Sequence, residues 1–156
     1  MFEDLLVGPK VLFSGKTMEN NQRAADEIVS MGRRSLAVKV EVRDQEEVRQ
    51  MVREVTSKFG RIDILVNSAG FADVKPIAEF PLGLWEYIMD VNVKGTFLCA
   101  QEAAKVMMKQ KSGKIINISS LQGFAGREGD PAYSASKAAV NLMTTVSYTH
   151  LTLPTN

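Results

Sequence analysis

The chain has 156 residues, of which 45% are hydrophobic and 24% are charged, and its formal net charge is +1. A balance of this kind is typical of a single globular domain with a sizeable core. The small net charge gives no electrostatic support for a nucleic-acid or membrane-surface partner, and no apolar run is long enough to cross a membrane. The one cysteine, Cys99, excludes an internal disulfide and a cysteine-based metal cluster. We therefore expect no metal site and a reduced, cytoplasmic environment.

Short apolar runs alternate with helical patterns along the chain. The predicted strands are Lys10–Ser14, Ser35–Val42, Ile62–Val66 and Lys114–Ile118. The predicted helices are Glu19–Met31, Asp44–Phe59, Leu82–Asn92, Val93–Lys109 and Tyr133–Thr145. Because strands that alternate with helices imply right-handed crossovers, this order predicts an α/β fold with a doubly wound parallel sheet and helices on both faces. The near-continuous apolar strands predict burial on both faces of that sheet.

Apolar residues recur at helical spacing in three of these helices, which predicts the faces that they bury. The predicted stripes are Ala24, Ile28 and Met31 in the first helix, Val48, Met51, Val52, Val55 and Phe59 in the second, and Phe97, Ala100, Ala104 and Met107 in the fourth. Cys99 lies in the same apolar helical run as the last stripe and is predicted to be a core residue.

The stretch Tyr133-Ser-Ala-Ser-Lys137 gives the strongest indication of chemistry. Residues four apart lie on one face of a helix, so the phenol and the ammonium are neighbours. A free phenol is too weak an acid or base to act quickly near neutrality, and about 4 kcal/mol of preference for the phenolate would correct this. One ammonium about 4 Å away, at an effective dielectric constant of about 20, supplies an energy of that order. The pair could therefore transfer protons, and an ordinary exposed Tyr and Lys is the alternative for this spacing alone.

Polar groups follow two predicted strands at their carboxyl ends, where ligands bind in parallel α/β sheets. Asn67-Ser-Ala-Gly70 follows the third strand, and its small residues would let a cofactor approach closely. Ser120 follows the fourth strand and could donate a hydrogen bond to a substrate carbonyl. Asn92 predicts a break in the helical stretch that could position a water. Each of the three, read singly, is equally consistent with a tight turn, a capping serine or a helix-breaking asparagine.

Four motifs within Gly60–Thr144 are closely similar to those of the short-chain dehydrogenase/reductase family. They are ILVNSAG at 64–70, DVNVKG at 90–95, IINISS at 115–120 and YSASK at 133–137, in the order and spacing of the family. The resemblance extends more weakly back to Lys10. It implies a Rossmann-like fold and hydride transfer between a nicotinamide cofactor and an alcohol or ketone. The subgroups that look most similar are 3-oxoacyl-thioester reductases and sugar or polyol dehydrogenases.

The resemblance also implies roles for individual residues. Tyr133 would be the general acid/base, Lys137 would favour its phenolate and bind the nicotinamide ribose, and Ser120 would orient the substrate oxygen. Asn92 would hold a water of the proton relay. The other cofactor-binding residues would be Asn67, Ala69 and Gly70 along the cofactor and Glu41 and Val42 beside the adenine.

Lys16 bears on the choice between the two nicotinamide cofactors. Enzymes of this kind that use NAD(H) often place an acid just after the second strand of the family fold, where it binds the ribose hydroxyls. The corresponding stretch, Ser14–Thr17, contains no acid, and Lys16 could attract a 2′-phosphate. We therefore favour NADP(H) over NAD(H), with a solvated loop lysine as the alternative. Two positions differ from the usual family pattern, since Ser68 replaces Asn and Glu41 replaces Asp.

Both ends of the chain depart from the family pattern. The Gly-rich turn that holds the pyrophosphate is missing, because none of the 11 glycines makes G-x-x-x-G-x-G or G-x-G-x-x-G. Met1–Gly8 is similar to the end of the helix that follows that turn. One choice of codons for Val146–Thr155 reproduces a transposon adaptor used in sequencing libraries, so we interpret 146–156 as a non-native tail. Residues 1–145 are then a partial dinucleotide-binding domain.

The resemblance has consequences for stability and assembly. In the family's sheet order a missing strand would lie between Lys10–Ser14 and Ile62–Val66, and Lys114–Ile118 would become an exposed apolar edge. We therefore expect the isolated chain to be poorly stable, to bind cofactor weakly and to be inactive. Helices Val93–Lys109 and Tyr133–Thr145 often form a dimer face in the family, so the parent protein is expected to be a homodimer or tetramer. A catalytically silent nucleotide-binding or scaffold protein of the same fold is the alternative.

Overall fold

The computed structural model describes residues 10–151, except for the side chains of Phe13 and of residues 147–151. Within this part the strands are β1 (Val11–Gly15), β2 (Ser35–Lys39), β3 (Ile64–Asn67) and β4 (Lys114–Asn117). The α-helices are α1 (Met18–Ser30), α2 (Gln45–Phe59), α3 (Leu82–Met89), α4 (Thr96–Gln110) and α5 (Pro131–Leu151). The predicted alternation of strands and helices is confirmed.

The strands form two parallel pairs rather than one continuous sheet. β1 pairs with β2, with Gly15 opposite Lys39, and β3 pairs with β4, with Asn67 opposite Asn117. Among residues 10–151 no strand joins the two pairs, in agreement with the gap expected between β1 and β3. The α/β fold with parallel strands and an incomplete sheet is therefore confirmed.

The main hydrophobic core lies between β2, α2 and α4. Helix α2 begins after Asp44, whose side chain accepts from two backbone N–H groups of the first turn, and it ends at Gly60 in the left-handed region. Burial raises the pKa of the Cys99 thiol to about 11, as expected for a core residue rather than a reactive thiol. The buried residues of this core are Val38, Val40, Val48, Met51, Val52, Leu98 and Cys99, which confirms the stripe predicted for α2 in its central part.

The stripe predicted for α4 is wrong at Phe97, which is 47% exposed, whereas Met107 is buried as predicted. The buried side chains of α4 are Thr96, Leu98, Cys99, Glu102, Ala103 and Met107. Because apolar residues occur on more than one face of this helix, their spacing alone does not identify the buried face. The segment Asp90–Gly95, which is π-helical, connects α3 to α4.

The stripe predicted for α1 is also wrong at one position, because Met31 lies beyond the helix and is exposed. The helix instead buries Asn21, whose amide donates to the carbonyls of Gly15 at 3.0 Å and Val38 at 2.9 Å. These bonds satisfy carbonyls at the ends of two strands, and so a polar residue occupies a buried position.

The last helix is longer than predicted. α5 begins at Pro131 and continues through Leu151, so the predicted end at Thr145 is wrong for the backbone. Whether the residues after 145 are non-native stays a prediction. Met1–Gly8 and the last five residues of the chain lie outside the described residues.

One face of the β3–β4 pair is exposed. Its apolar residues Ile64, Val66, Ile116 and Ile118 are each about half exposed, while α4 packs on the other face. Burial on both faces, as predicted for these strands, is therefore wrong within residues 10–151. Contiguous exposed apolar surface favours association with other molecules. Poor stability of the isolated chain stays a prediction.

Candidate active site

Tyr133 and Lys137 lie one turn apart near the start of α5. The Lys137 ammonium is 5.5 Å from the centre of the Tyr133 ring, and it donates to the Ile118 carbonyl, just after β4, at 2.8 Å. Lys137 is only 5% exposed, and this burial lowers the pKa of its ammonium. The pair is therefore not an ordinary surface Tyr and Lys, because a buried ammonium is held beside the phenol at the carboxyl end of a strand.

Asn92 is the centre of a buried hydrogen-bond network. Its Oδ1 accepts from the Phe71 N–H at 2.8 Å, and its Nδ2 donates to the Phe71 carbonyl at 3.0 Å. Its Nδ2 also donates to Ser136 Oγ at 2.9 Å, and Ser136 donates to the Tyr133 carbonyl at 2.7 Å. The network joins the loop after β3, the π-helical segment and the first turn of α5, so it fixes Tyr133 relative to that loop.

The backbone around Asn92 is perturbed, as the sequence predicts. Asn92 lies within the π-helical segment, and π turns inside α-helices occur frequently at functional sites. Both amide protons of its side chain are used within the protein. Its backbone carbonyl accepts from Thr96 Oγ1 at 2.7 Å, and a carbonyl oxygen has two lone pairs.

Ser120 lies after β4 and caps the short 3₁₀ turn Leu121–Gly123, since its Oγ accepts from the Gln122 N–H at 3.2 Å. The turn packs directly on α5, because a Cβ at Gly123 would come within 2.9 Å of the Lys137 carbonyl oxygen. Only glycine permits this approach. The capping alternative is thus observed, and it is compatible with catalysis, because a hydroxyl that accepts a bond can still donate its proton.

A cleft of about 410 Å³ lies at the carboxyl ends of β1, β2 and β3. The predicted cofactor residues that line it are Lys16, Glu41, Val42, Ala69 and Gly70. Gly70 also adjoins Asn92 and Lys137, because a Cβ built there would lie 3.6 Å from Asn92 Oδ1 and 3.8 Å from Lys137 Nζ. The cleft therefore extends from Lys16 to Gly70, beside these two side chains.

Asn67 is a predicted cofactor residue that does not line the cleft. Its amide donates to Asn117 Oδ1 at 2.9 Å and to the Thr96 carbonyl at 3.5 Å. The side chain therefore connects β3 to β4 and α4 instead of lining the cleft. Asn117 continues the chain of contacts by donating to Thr144 Oγ1 on α5 at 2.9 Å.

The end of the cleft near Lys16 is charged. Glu41 forms a two-pronged ion pair with Arg43, with Arg43 Nε 2.9 Å from Oε1 and Nη2 2.9 Å from Oε2. The Arg43 guanidinium holds the pKa of the Glu41 carboxyl at about 2. Arg43 also stacks on Tyr87, with 4.6 Å between its Cζ and the ring centre. Lys16 lies 3.7 Å from Glu41 Oε2 and is largely exposed.

Sequence reasoning missed several residues of the site. Ser136 lies inside the YSASK motif and is completely buried. Its burial could be predicted only if its contact with Asn92 were known. Arg43 and Tyr87 carry no recognisable local pattern. Asp130 is buried before α5, and the Asp-Pro pair that starts a helix could have indicated it. Burial raises the pKa of the Asp130 carboxyl, and its Oδ1 has no hydrogen-bond partner among the described residues.

The described residues contain no group of three or more His, Cys, Asp and Glu side chains arranged to hold a metal ion. Within the same residues, no helix combines the length and the apolar character that crossing a bilayer requires.

Comparison with known proteins decides the family. The family described as short chain dehydrogenase matches residues 5–152, which is nearly the whole chain. The chain belongs to this family. The resemblance found in the four motifs is thereby confirmed.

Three relatives of this short-chain dehydrogenase chain are 26% to 42% identical to it over the segments that align. A 3-oxoacyl-(acyl-carrier-protein) reductase of Synechocystis is 42% identical over 114 residues, which are 73% of this chain and 46% of the relative. A gluconate 5-dehydrogenase of Burkholderia cenocepacia, solved with NADP and tartrate, has a TM-score of 0.82 at 32% identity over 86% of this chain and 53% of that protein. An NAD+-bound xylitol dehydrogenase has a TM-score of 0.90 at 26% identity over 92% of this chain and 56% of that protein. The chain spans about half the length of the curated relatives it matches.

Proposed function

We propose that this chain carries the catalytic part of an oxidoreductase that interconverts an alcohol and a ketone with a nicotinamide cofactor. The observation that carries the proposal is the buried Lys137 ammonium, which the Ile118 carbonyl holds beside Tyr133. Burying a charge costs free energy, so a buried ammonium near the end of a sheet where ligands bind indicates a functional arrangement.

Tyr133 moves the proton in this proposal. Its hydroxyl donates to the substrate oxygen during ketone reduction, and its phenolate accepts the proton during alcohol oxidation. The Lys137 ammonium, 5.5 Å from the centre of the Tyr133 ring, would stabilise the negative charge of the phenolate. Ser120 donates a hydrogen bond to the substrate oxygen and holds it in position.

Asn92 is assigned to the proton relay through its backbone. Its side chain supports the fold of the site by binding Phe71 and Ser136, and both amide protons are used there. The backbone carbonyl of Asn92 would accept from a water that passes protons between Lys137 and solvent.

A nicotinamide cofactor would supply or accept the hydride, and the residues present fit its two ends. Gly70 leaves space beside the Lys137 ammonium, which could donate to the ribose of the nicotinamide half. Lys16, Glu41 and Val42 line the cleft where the adenosine half would bind. Asn67 would contribute indirectly, by fixing the strand that precedes Ala69 and Gly70. A Gly-rich turn for the pyrophosphate is absent from the described residues.

We favour NADP(H) over NAD(H). The support is the exposed Lys16 at the adenosine end of the cleft, which could attract a 2′-phosphate. The solved relatives do not share one cofactor, since the gluconate dehydrogenase was solved with NADP and the xylitol dehydrogenase with NAD+. The cofactor preference therefore rests on the residues of this chain.

The substrate class in this proposal is taken from the relatives of the chain. A 3-oxoacyl-thioester and a sugar or polyol both present a secondary alcohol or a ketone to Tyr133, and relatives of both kinds are similar to this chain. The parent enzyme is proposed to act in the cytoplasm as a homodimer or tetramer.

The test of Tyr133 uses a chimera in which residues 10–145 replace the corresponding segment of the Synechocystis reductase. Oxidation of NADPH is measured with a panel of 3-oxoacyl thioesters and keto-sugars. We expect turnover in the chimera and a loss of about 10²- to 10⁴-fold in kcat for Tyr133→Phe, because the substitution removes the proton that is transferred. Equal rates for the two proteins would refute the assignment of Tyr133.

The second candidate function is a catalytically silent nucleotide-binding protein. It is favoured only by the missing Gly-rich turn, which predicts weak cofactor binding by the chain as it stands. A chimera that folds and binds NADPH but reduces none of these substrates would support it over the enzyme.

A further inference from the structure

Glu41 stands between two cations at the adenosine end of the cleft. Arg43 binds both of its carboxylate oxygens at 2.9 Å, and the Arg43 backbone N–H adds a third contact at 3.3 Å. Lys16 Nζ is 3.7 Å from Oε2, which is longer than a hydrogen bond. The carboxylate is therefore bound mainly by Arg43, and the ammonium of Lys16 remains loosely placed.

This arrangement matters because Glu41 and Lys16 would otherwise cancel one another. A carboxylate 3.7 Å from an ammonium neutralises much of its charge and repels a phosphate that approaches the same place. With Arg43 included, the three side chains carry a net positive charge. The Lys16 side chain is 69% exposed against 25% for Glu41, so Lys16 is the charge that an entering ligand meets.

Arg43 is itself held in place by contacts other than one with an entering ligand. Its guanidinium lies 4.6 Å from the centre of the Tyr87 ring, in a cation–π contact. Tyr87 is supported in turn by the edge of Phe71, with 5.1 Å between ring centres. The ion pair uses two of the five N–H donors of the guanidinium, and the Arg43 side chain is 30% exposed against 69% for Lys16, so Lys16 is the more accessible cation.

We infer that Arg43 is a specificity-determining residue that acts through Glu41, neutralising this carboxylate so that Lys16 can bind the 2′-phosphate of an adenine nucleotide. The inference rests on the proposed nucleotide function of the cleft. Arg43 is a positioning residue in this scheme, because the phosphate contacts Lys16 and not the guanidinium.

The test measures how the 156-residue chain discriminates adenosine 2′-monophosphate from adenosine 5′-monophosphate. The two probes have the same composition and charge, so their affinity ratio isolates the position of the phosphate. Ligand-observed saturation-transfer NMR requires little protein and suits a chain that binds weakly. We compare the wild type with Arg43→Gln, Lys16→Gln and the double variant Glu41→Gln/Arg43→Gln.

We expect the wild type to prefer the 2′-monophosphate, and Arg43→Gln to lower this preference by about fivefold, the scale of one partly exposed charge interaction. The double variant should recover the preference, because it removes the repelling carboxylate together with its partner. A merely structural role for Arg43 would not give this recovery. An unchanged ratio in Arg43→Gln, or a double variant as weak as the single one, would overturn the inference.

The lysine variant separates this inference from the proposed function. If Lys16→Gln abolishes a preference that Arg43→Gln leaves intact, the proposed cofactor choice survives and the role of Arg43 is wrong. If the wild type shows no preference, the proposed choice of NADP(H) fails, and the inference fails with it.

Discussion

The two ends of the cleft are built in different ways. At the proposed catalytic end, Asn92, Ser136 and Lys137 are each at most 5% exposed, and hydrogen bonds connect them to backbone groups. At the adenosine end, Lys16, Glu41 and Arg43 are partly exposed and interact through charge. One end is a buried network of fixed geometry, and the other is an exposed set of ion pairs.

The difference agrees with the functions proposed for the two ends. Proton transfer needs atoms held at fixed separations, and buried hydrogen bonds supply that, because breaking one leaves an unsatisfied group. Recognition of a phosphate needs charge rather than fixed geometry, and exposed ion pairs supply it at small cost in stability. Substitutions at the catalytic end should therefore have the larger effects.

The largest effect is expected for Lys137→Met in the Synechocystis chimera. Without the ammonium that favours the phenolate of Tyr133, kcat should fall by about 10²- to 10⁴-fold. The matched control is Lys94→Met, which removes an exposed lysine from the π-helical segment and should leave kcat unchanged. Comparable rates for the two variants would mean that the burial of Lys137 has no catalytic purpose.

A smaller effect, on stability, is expected for Asn92→Ala. The substitution removes three hydrogen bonds and leaves the Phe71 N–H and carbonyl without their partner. We expect the free energy of unfolding to fall by about 2–4 kcal/mol. Urea unfolding of the chimera measures this change.

The control for Asn92 is Asn141→Ala. Asn141 lies on α5, half-buried, with one long bond of 3.3 Å to the Gly123 carbonyl, and its loss should cost about 1 kcal/mol. If Asn141→Ala destabilises the protein as much as Asn92→Ala, the buried network around Asn92 contributes no more to stability than a single hydrogen bond.

The smallest effect is expected for Glu41, and it depends on pH. Its folded pKa of about 2 lies below the ordinary value of 4.5, so the unfolded chain binds the proton more readily. The stabilisation is therefore present above pH 4.5 and lost as the pH falls towards about 2. After a discount for solvent screening we expect a loss of about 1 kcal/mol.

Urea unfolding at a series of acid pH values tests Glu41 against two variants. Glu41→Gln should flatten the pH dependence of stability, whereas Glu54→Gln, on α2 with one hydrogen bond from Gln50, should not. A profile for Glu41→Gln that is parallel to the wild type would show that the ion pair with Arg43 has no weight in solution.

Some of the site could be predicted from the sequence because it depends on local spacing. Tyr133 and Lys137 are neighbours wherever a helix forms, and Asn92 disturbs the helix that contains it. The face of α4 that is buried could not be predicted in this way. Apolar residues occur on more than one face of α4, and only the packing of this helix on α2 and β3 decides that Phe97 is exposed while Cys99 and Met107 are buried.

Contacts between distant parts of the chain were beyond local reasoning. Asn67 follows a strand as cofactor residues do, yet its amide turns towards Asn117, 50 residues along the chain. Ser136 is an ordinary small polar residue in the motif until Asn92 comes within 2.9 Å of it. Neither contact has a signature within a short window of sequence.

The sequence by itself determined the family, the order of strands and helices, and the closeness of Tyr133 to Lys137, because motifs and periodicity are local properties. Only the tertiary structure decided which charges meet at the cleft. Glu41 and Arg43 are only two residues apart in the sequence. The effect of their ion pair on the cleft depends on Tyr87 and Lys16, which other parts of the fold bring close to it. Charge interactions act through space rather than along the chain, and so the fold decides what an ionised side chain can do.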